Sequence, residues 1–219
     1  MANESTLVSA EHFAYIAART TQEDDFLRTL RTDAEQAGIP PIQIAPEEAA
    51  FLQILLRLIG AREVVEVGTL AGYSAIAMAR ALPEGGRVRT IEYEAMHAAF
   101  ARDRFAHSDV AGKLELFEGA GMDVLPRFED DSADVAFLDA DKASYPQYLE
   151  EAIRIVRPGG TILVDNAFAF GEVLEENPTD PEAPAVQAFN EQIAKDPRLQ
   201  AVIVPLGDGL WLAVNAPSS

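Results

Sequence analysis

Cysteine is absent from the 219 residues. The chain therefore has no disulfide, no thiolate nucleophile and no thiolate metal ligand, which removes several mechanisms while leaving the compartment open. Bases are scarce: 17 Lys and Arg stand against 36 Asp and Glu, for a formal net charge of -19. Nonspecific binding to DNA, RNA or an anionic membrane is disfavoured by that balance, although a local basic patch stays compatible with it. The acids are scattered through predicted helices and loops, the pattern of a solvated surface. Long apolar runs are missing as well, and none approaches the ~20 residues needed to cross a bilayer. Met1-Ala2-Asn3-Glu4-Ser5 shows neither the basic region nor the apolar run of a signal peptide. The expectation is a cytoplasmic protein with no nucleic-acid and no membrane partner. What is present is an apolar fraction of 48%, ample for the core of one domain. No internal repeat or domain linker interrupts it.

The elements can be read in order. Phe13, Ile16 and Ala17 make a short apolar face in a weakly patterned start. Thr21-Gln22-Glu23-Asp24 reads as a helix start, with Asp24 standing in for the usual Glu of a capping box. Phe26, Leu27, Leu30 and Ala34 follow at helical spacing. Gly38 ends that helix, and Pro40-Pro41 keep the chain extended. Pro46 suits the first turn of the next helix, with Phe51, Leu52, Leu55, Leu56 and Ile59 as its buried stripe and Gly60 as its end. Strands are then predicted over 63–67, 87–92, 113–117, 134–139 and 161–165. Helices alternate with them over 73–81 and 94–106, from Met122, and through Tyr145, Leu149, Ile153 and Val156. Pro158-Gly159-Gly160 stand between that helix and the fifth strand. A loop rich in Phe, Glu and Pro occupies 167–182, and a helix over 183–195 turns Val186, Phe189 and Ile193 inward. Strands over 199–204 and 210–214 form a hairpin around Pro205-Leu206-Gly207-Asp208-Gly209. The tail from Asn215 to Ser219 has little reason to be ordered. The class is α/β: a doubly wound, mostly parallel sheet with an antiparallel edge.

Residues 134–166 carry the sharpest signal. Two strands with a helix between them form a βαβ unit, so the strands run parallel, and ligands of such sheets bind beyond the strands' carboxyl ends. Asp139 ends one strand; Asp165 and Asn166 end the other. Two carboxylates and an amide oxygen are hard ligands suited to Mg²⁺, Ca²⁺ or Mn²⁺. The alternative is that these acids cap the helices that follow.

The first crossover, Glu66-Val67-Gly68-Thr69-Leu70-Ala71-Gly72-Tyr73-Ser74, has glycines that let a ligand approach the backbone, but it lacks the three-glycine dinucleotide fingerprint. Its acid precedes the first glycine, where it would repel a pyrophosphate and receive a cationic amino group. That tilts the ligand from NAD towards S-adenosylmethionine, unless the segment is only a tight turn with a surface acid. Glu92, at the end of the second strand, suits two ribose hydroxyls or caps the helix near residue 94. Glu118-Gly119-Ala120-Gly121 admits a flat adenine or forms a turn. Tyr93 packs on adenine or belongs to the core.

On these blocks, with Leu138-Asp139-Ala140-Asp141-Lys142, Asp165-Asn166 and Pro205 to Gly209, the chain resembles the cation-dependent, S-adenosylmethionine-dependent O-methyltransferases, the caffeoyl-CoA and catechol O-methyltransferase group, especially its small bacterial members. The resemblance spans roughly residues 20 to 214. It implies a seven-stranded Rossmann-like methyltransferase fold with a C-terminal antiparallel hairpin, in one domain over 1–219 whose segment 1–45 contributes to the pocket or to a dimer. It implies that Asp139, Asp165 and Asn166 are metal ligands and that Lys142 takes the substrate proton. Ile42, Ile44, Glu66, Gly68, Ser74, Glu92, Gly121, Asp139 and Asp141 are implied to surround S-adenosylmethionine, and the active form to be a homodimer. Departures are Glu92 in place of the commoner Asp, and Gly121, which offers only backbone where some relatives have a hydroxyl.

The implied reaction moves a methyl group from a sulfonium to a phenolic oxygen, on a cation, Mg²⁺ before Ca²⁺ or Mn²⁺, that holds two adjacent substrate oxygens. A vicinal diphenol supplies both; Phe168 and Phe170 would be apolar walls. The rivals are an NAD-dependent oxidoreductase and a non-catalytic protein that keeps the cofactor fold.

Overall fold

The structure is a computed structural model, and it describes residues 8–216. The residues of the expected signal-free start, Met1 to Ser5, and of the tail beyond Ala216 lie outside that range. Three helices precede the sheet: α1 (Ala10–Ala17), α2 (Asp25–Gln36) and α3 (Pro46–Leu58). Phe13 and Ala17 of α1 are half-buried and Ile16 is exposed, so the face is only partly covered. Helix α2 begins three residues later than the capping box expected at Thr21. Asp24 is itself the cap, its carboxylate accepting from Leu27 N at 3.0 Å, and Leu27, Leu30 and Ala34 are buried as the spacing predicts. Helix α3 starts on Pro46 and buries Leu52 and Leu56 fully and Phe51 and Leu55 partly. Ile59 was expected on that stripe but lies past the helix, exposed. Glu48 is on the stripe instead, and it is buried.

The alternation then runs β1 (Glu63–Val67), α4 (Tyr73–Ala81), β2 (Arg87–Glu92), α5 (Ala95–His107), β3 (Leu114–Glu118), α6 (Gly121–Val124), β4 (Ala133–Leu138), α7 (Tyr145–Ile155), β5 (Val156–Val164), α8 (Ala183–Ile193), β6 (Leu199–Val204) and β7 (Leu210–Asn215). The sheet has seven strands in the order β3-β2-β1-β4-β5-β7-β6. Neighbours among β1 to β5 are parallel, while β7 is antiparallel to both β5 and β6. This is the expected doubly wound, mostly parallel seven-stranded sheet with its C-terminal antiparallel hairpin.

Two corrections concern the ends of elements. Pro158-Gly159-Gly160, expected ahead of the fifth strand, are part of β5, which starts at Val156. Gly159 takes φ +77°, Gly160 packs where a Cβ would strike Val156 and the Asp134 carbonyl, and the β4 register shifts between Ala133 and Val135, the signature of an irregularity absorbed within a strand. Asn215, expected in a loose tail, ends β7 and is buried, its Nδ2 donating to Ile153 O (3.0 Å) and Val156 O (2.7 Å).

Alternation along the strands divides the core in two. Val64, Val135, Phe137 and Leu163 face the side covered by α2, α3 and α4; Val65, Val67, Ala136, Leu138, Ile162 and Val164 face the side of α7 and α8. Just past their last residues β3, β1, β4 and β5 each make one more bond to a neighbouring strand: Gly119 N to Glu92 O (2.8 Å), Gly68 N to Ile91 O (3.0 Å), Asp139 N to Val67 O (2.9 Å) and Asp165 N to Leu138 O (3.0 Å). Glu92, Gly68, Asp139 and Asp165 are thereby held on one edge of the sheet.

Candidate active site

That edge opens into a cavity of about 900 Å³, and its lining includes Ile42, Ile44, Gly68, Ser74, Glu92, Gly121, Asp139, Asp141, Lys142 and Asn166. Of the residues singled out in the sequence, Glu66 and Asp165 do not line it; both lie buried behind its wall. Ile44 is buried and Ile42 stands at the exposed rim.

Glu66 is 0% exposed. Ser74 Oγ donates to its Oε1 and Thr90 Oγ1 to its Oε2, each at 2.5 Å. Burial pushes its carboxyl up to about 8, against these two hydrogen bonds and with the Asp139 charge adding to the rise. Glu92 organises the first crossover. Its Oε2 accepts from Thr69 N (3.1 Å) and Leu70 N (2.7 Å), and its Oε1 from Glu94 N (2.9 Å). Its Oε1 reaches the amide of Glu94, the residue before α5, and no side chain caps that helix, so the capping alternative does not hold. Glu92 holds Leu70 at φ +50°, a left-handed conformation that a leucine does not adopt without support.

The glycines of this crossover do more than admit a ligand. A Cβ on Gly68, at φ +99°, would collide with the Asp139 carbonyl, and one on Gly72 would meet the Phe105 ring. Their bareness lets strand ends and helix pack closely. Gly121 is similar: its missing Cβ makes room for the Tyr148 ring, whose hydroxyl donates to Asp141 Oδ1 at 2.6 Å. Tyr93 is 71% exposed at the cavity's edge, so it is not a core aromatic.

At the other end of the cavity, Lys142 is 5% exposed. Its Nζ donates to Asp139 Oδ1 (3.1 Å) and to Tyr145 Oη (2.7 Å), and Tyr145 Oη donates to the Asp165 carbonyl (3.3 Å). Burial, then the charges of Asp139 and Asp165, hold the Tyr145 hydroxyl far above its ordinary range, so it stays a neutral donor and acceptor. Asp165 is 6% exposed, and its Oδ1 has no hydrogen-bond partner among the described residues. Burial and the facing Asp139 raise its carboxyl well above the usual range. Asn166 takes φ +63° and turns Nδ2 to Asp208 Oδ2 (3.3 Å), which also accepts from Phe170 N (2.8 Å). Phe170 lines the cavity; Phe168, expected beside it, packs instead on Gly209 beneath the β6–β7 turn. No group of three or more His, Cys, Asp or Glu residues arranged for a metal occurs among the described residues. The expected set has two acids and an amide.

Sequence reasoning missed Tyr145 as a partner of Lys142, Asp208 as the residue that orients Asn166, and Glu48. The first carried no signal beyond a place in a helix. Asp208 stood inside a quoted block. Glu48 left a readable sign, an acid four residues before Leu52 on an apolar stripe.

The sequence matches the O-methyltransferase family over residues 17–216. The catechol O-methyltransferase of Niastella koreensis is 36% identical, over 97% of this chain and 99% of its own. Among solved structures, the Bacillus cereus O-methyltransferase in complex with S-adenosylhomocysteine is 33% identical with a TM-score of 0.83, covering 93% of this chain and 96% of that one. The O-methyltransferase TomG of Streptomyces achromogenes, solved with S-adenosylmethionine, is 30% identical with a TM-score of 0.85, covering 96% and 100%. Neither the oxidoreductase nor the non-catalytic rival survives these likenesses. No helix among the described residues is long and apolar enough to cross a membrane. The chain belongs to the O-methyltransferase family and is an S-adenosylmethionine-dependent enzyme of its small bacterial, catechol- and caffeoyl-CoA-methyltransferase-like group.

Proposed function

We propose that this enzyme methylates one hydroxyl of a small catechol-like acceptor, a vicinal diphenol, in the cytoplasm, and that a divalent cation at Asp139, Asp165 and Asn166 takes part. Mg²⁺ is the first choice, with Ca²⁺ or Mn²⁺ as alternatives. The observation that carries the reading is the meeting of Asp139, Lys142 and the unpartnered, buried Asp165 Oδ1 beside one cavity. The donors are all oxygen, and a buried carboxylate oxygen without a partner is costly unless a cation or proton reaches it. These residues fit a hard cation.

A cation bound there would supply Lewis acidity, lowering the acceptor hydroxyl's pKa; S-adenosylmethionine supplies the methyl group. The chain's own residues bind, orient and take the proton. Lys142 Nζ, held between Asp139 and Tyr145, faces the cavity as the base for the acceptor proton. Glu66, through Ser74 and the Gly68 backbone, answers the cofactor's ammonium. Glu92 has three of its lone pairs engaged by backbone N–H groups and keeps capacity for the ribose hydroxyls. Ile42, Ile44, Gly121 and Asp141 enclose the rest of the cofactor, and Phe170 offers the acceptor an apolar wall. All of this belongs to one domain, with the segment up to residue 45 contributing Ile42 and Ile44.

A homodimer completes the proposal, supported by the exposed apolar Tyr15, Ile16, Ile54 and Leu58 on α1 and α3. Sedimentation at micromolar concentration giving the 23.7 kDa of one chain counts against it.

The test of the chemistry is initial rate against chelator and against paired diphenol and monophenol acceptors. A rigid vicinal pair is expected to be far faster than its monophenol, because only the pair has its reacting oxygen aligned by two contacts. Asp165→Ala is expected to lose most turnover and keep cofactor binding. Full activity in excess chelator, or equal rates on the two acceptors, overturns the reading while leaving methyl transfer itself intact.

A further inference from the structure

An imidazole lines the cavity without a task in the scheme above. His97 is part of the wall, with its side chain 15% exposed. Helix geometry puts it there. Helix α5 begins at Ala95, so His97 stands in its first turn, and side chains on a helix lean back towards the helix N-terminus. Ala98, Ala101 and Phe105 are buried and seat α5 against β2 and β3. The ring therefore returns over the end of β2, where Glu92 stands. His97 Nδ1 lies 3.6 Å from Glu92 Oε1.

At that separation the two groups do not bond directly. They are spaced instead to share a third atom. An oxygen about 2.8 Å from each completes a triangle on this base, at ordinary hydrogen-bond length on both sides. The two sides decide what that oxygen is. A carboxylate only accepts, at about two sites on each oxygen. Glu92 Oε2 already takes Thr69 N and Leu70 N, and Oε1 takes Glu94 N. One site is left, on Oε1, the oxygen nearer His97. A carboxylate beside Nδ1 favours the tautomer with its proton on that nitrogen, which then donates. The third atom must therefore donate one hydrogen bond and accept another. A hydroxyl does both. A carbonyl or carboxylate has no proton to give, and an ammonium has no lone pair to offer. Water satisfies both demands as well, and the experiment below separates the two. The hydroxyls that S-adenosylmethionine carries are those of its ribose.

We propose that His97 is a cofactor-binding residue: its Nδ1–H and Glu92 Oε1 close on one ribose hydroxyl, the imidazole donating to the oxygen and the carboxylate accepting its proton. The assignment deepens the reading of Glu92 as the ribose acid and rests on it. Backbone amides use up most of Glu92 and fix its direction, so the grip on the ribose is shared with the helix that follows.

The test is calorimetry with S-adenosylhomocysteine and with its 2′-deoxy and 3′-deoxy forms. The proteins are the full chain, His97→Ala, His97→Asn, Glu92→Ala and the surface control His107→Ala, and thermal melts check that each folds. One deoxy form is expected to bind the parent at least about tenfold more weakly than S-adenosylhomocysteine, because it leaves two polar groups without their shared partner. His97→Ala is expected to weaken S-adenosylhomocysteine about tenfold, the worth of one hydrogen bond, and to bind that deoxy form as the parent does. His97→Asn, whose amide N–H stands near the place of Nδ1, is expected to keep the parent's preference for the intact ribose. His107→Ala is expected to match the parent. If His97→Ala does not fold, His97→Leu, which keeps bulk without a donor, replaces it with the same expectation. Equal weakening of all three ligands in the folded alanine or leucine variant, the outcome if His97 only packs or holds a water, overturns the proposal. Loss of the ribose preference in Glu92→Ala with the parent's preference intact in His97→Ala overturns the role of His97 and leaves the ribose reading of Glu92 standing. Equal affinity of the parent for all three ligands overturns both.

Discussion

Glu66→Gln in the cofactor-free enzyme replaces one fully buried carboxyl by its neutral isostere. The folded carboxyl titrates at about 8 against an ordinary 4.5, raised first by burial. Between those two values the folded chain holds a proton that the unfolded chain has released. Stability is therefore complete below the unfolded pKa and falls as pH rises through the window, the direction for a raised acid. At pH 7 the unfolded carboxyl has been ionising for some 2.5 pH units while the folded one stays largely protonated, which makes the loss about 3 kcal/mol at about 1.36 kcal/mol per unit. For a domain of this size that is roughly 6–12 °C of melting temperature. The assay is thermal melting of the parent and Glu66→Gln, cofactor-free, from pH 5 to 8 at fixed ionic strength. The parent's melting temperature is expected to drop relative to the variant's across that range by several degrees. Rearranged hydrogen bonds from Ser74 and Thr90 onto the amide shift the variant by an amount that does not change with pH, so the slope of the difference is the readout. Bound S-adenosylhomocysteine, whose ammonium favours the ionised form, is expected to flatten it. Parallel curves without cofactor, or a parent that gains on the variant as pH rises, would refute the argument that burial keeps this carboxyl protonated.

Gly68→Ala is expected to lower the melting temperature and weaken S-adenosylhomocysteine binding together, because its Cβ meets the Asp139 carbonyl at a backbone conformation strained for alanine, a cost above about 1 kcal/mol; normal melting and calorimetry would contradict it. Glu92→Ala is expected to weaken cofactor binding by about 1 to 3 kcal/mol and to speed amide hydrogen exchange at Thr69 and Leu70, whose N–H groups lose their acceptor. Unchanged exchange at those two amides would show that the crossover does not lean on this carboxylate. Tyr145→Phe removes one hydrogen bond to Lys142 Nζ and is expected to cut turnover about tenfold, the worth of about 1.4 kcal/mol, with cofactor affinity held; unchanged turnover would free Lys142 from that hydroxyl.

Much of this architecture was legible from local pattern. The bounds of β1, α4, β2 and β6 agree with the sequence reading because apolar alternation, Gly and Pro act within a few residues of where they stand. Asp139, Asp165 and Asn166 could be placed on one edge from chain order, since a right-handed βαβ unit leaves little choice of where strand ends go. Other features needed the assembled sheet. The capping acid of α2 is set by which side chain reaches Leu27 N, and Gly160 stays in β5 because its neighbours on β4 leave room for the irregularity. Glu66 and Glu92 look equivalent as strand-end acids, yet burial protonates one while three backbone N–H groups occupy the other. The packing of the Glu48 carboxyl against Gly207 joins segments distant in the chain, and it depends on α3 lying against the β6–β7 turn. Periodicity along a chain records which face of its own element a residue occupies. Only packing of one element on another sets which residue stands opposite and how much water remains between them, and with that the charge state of a buried acid.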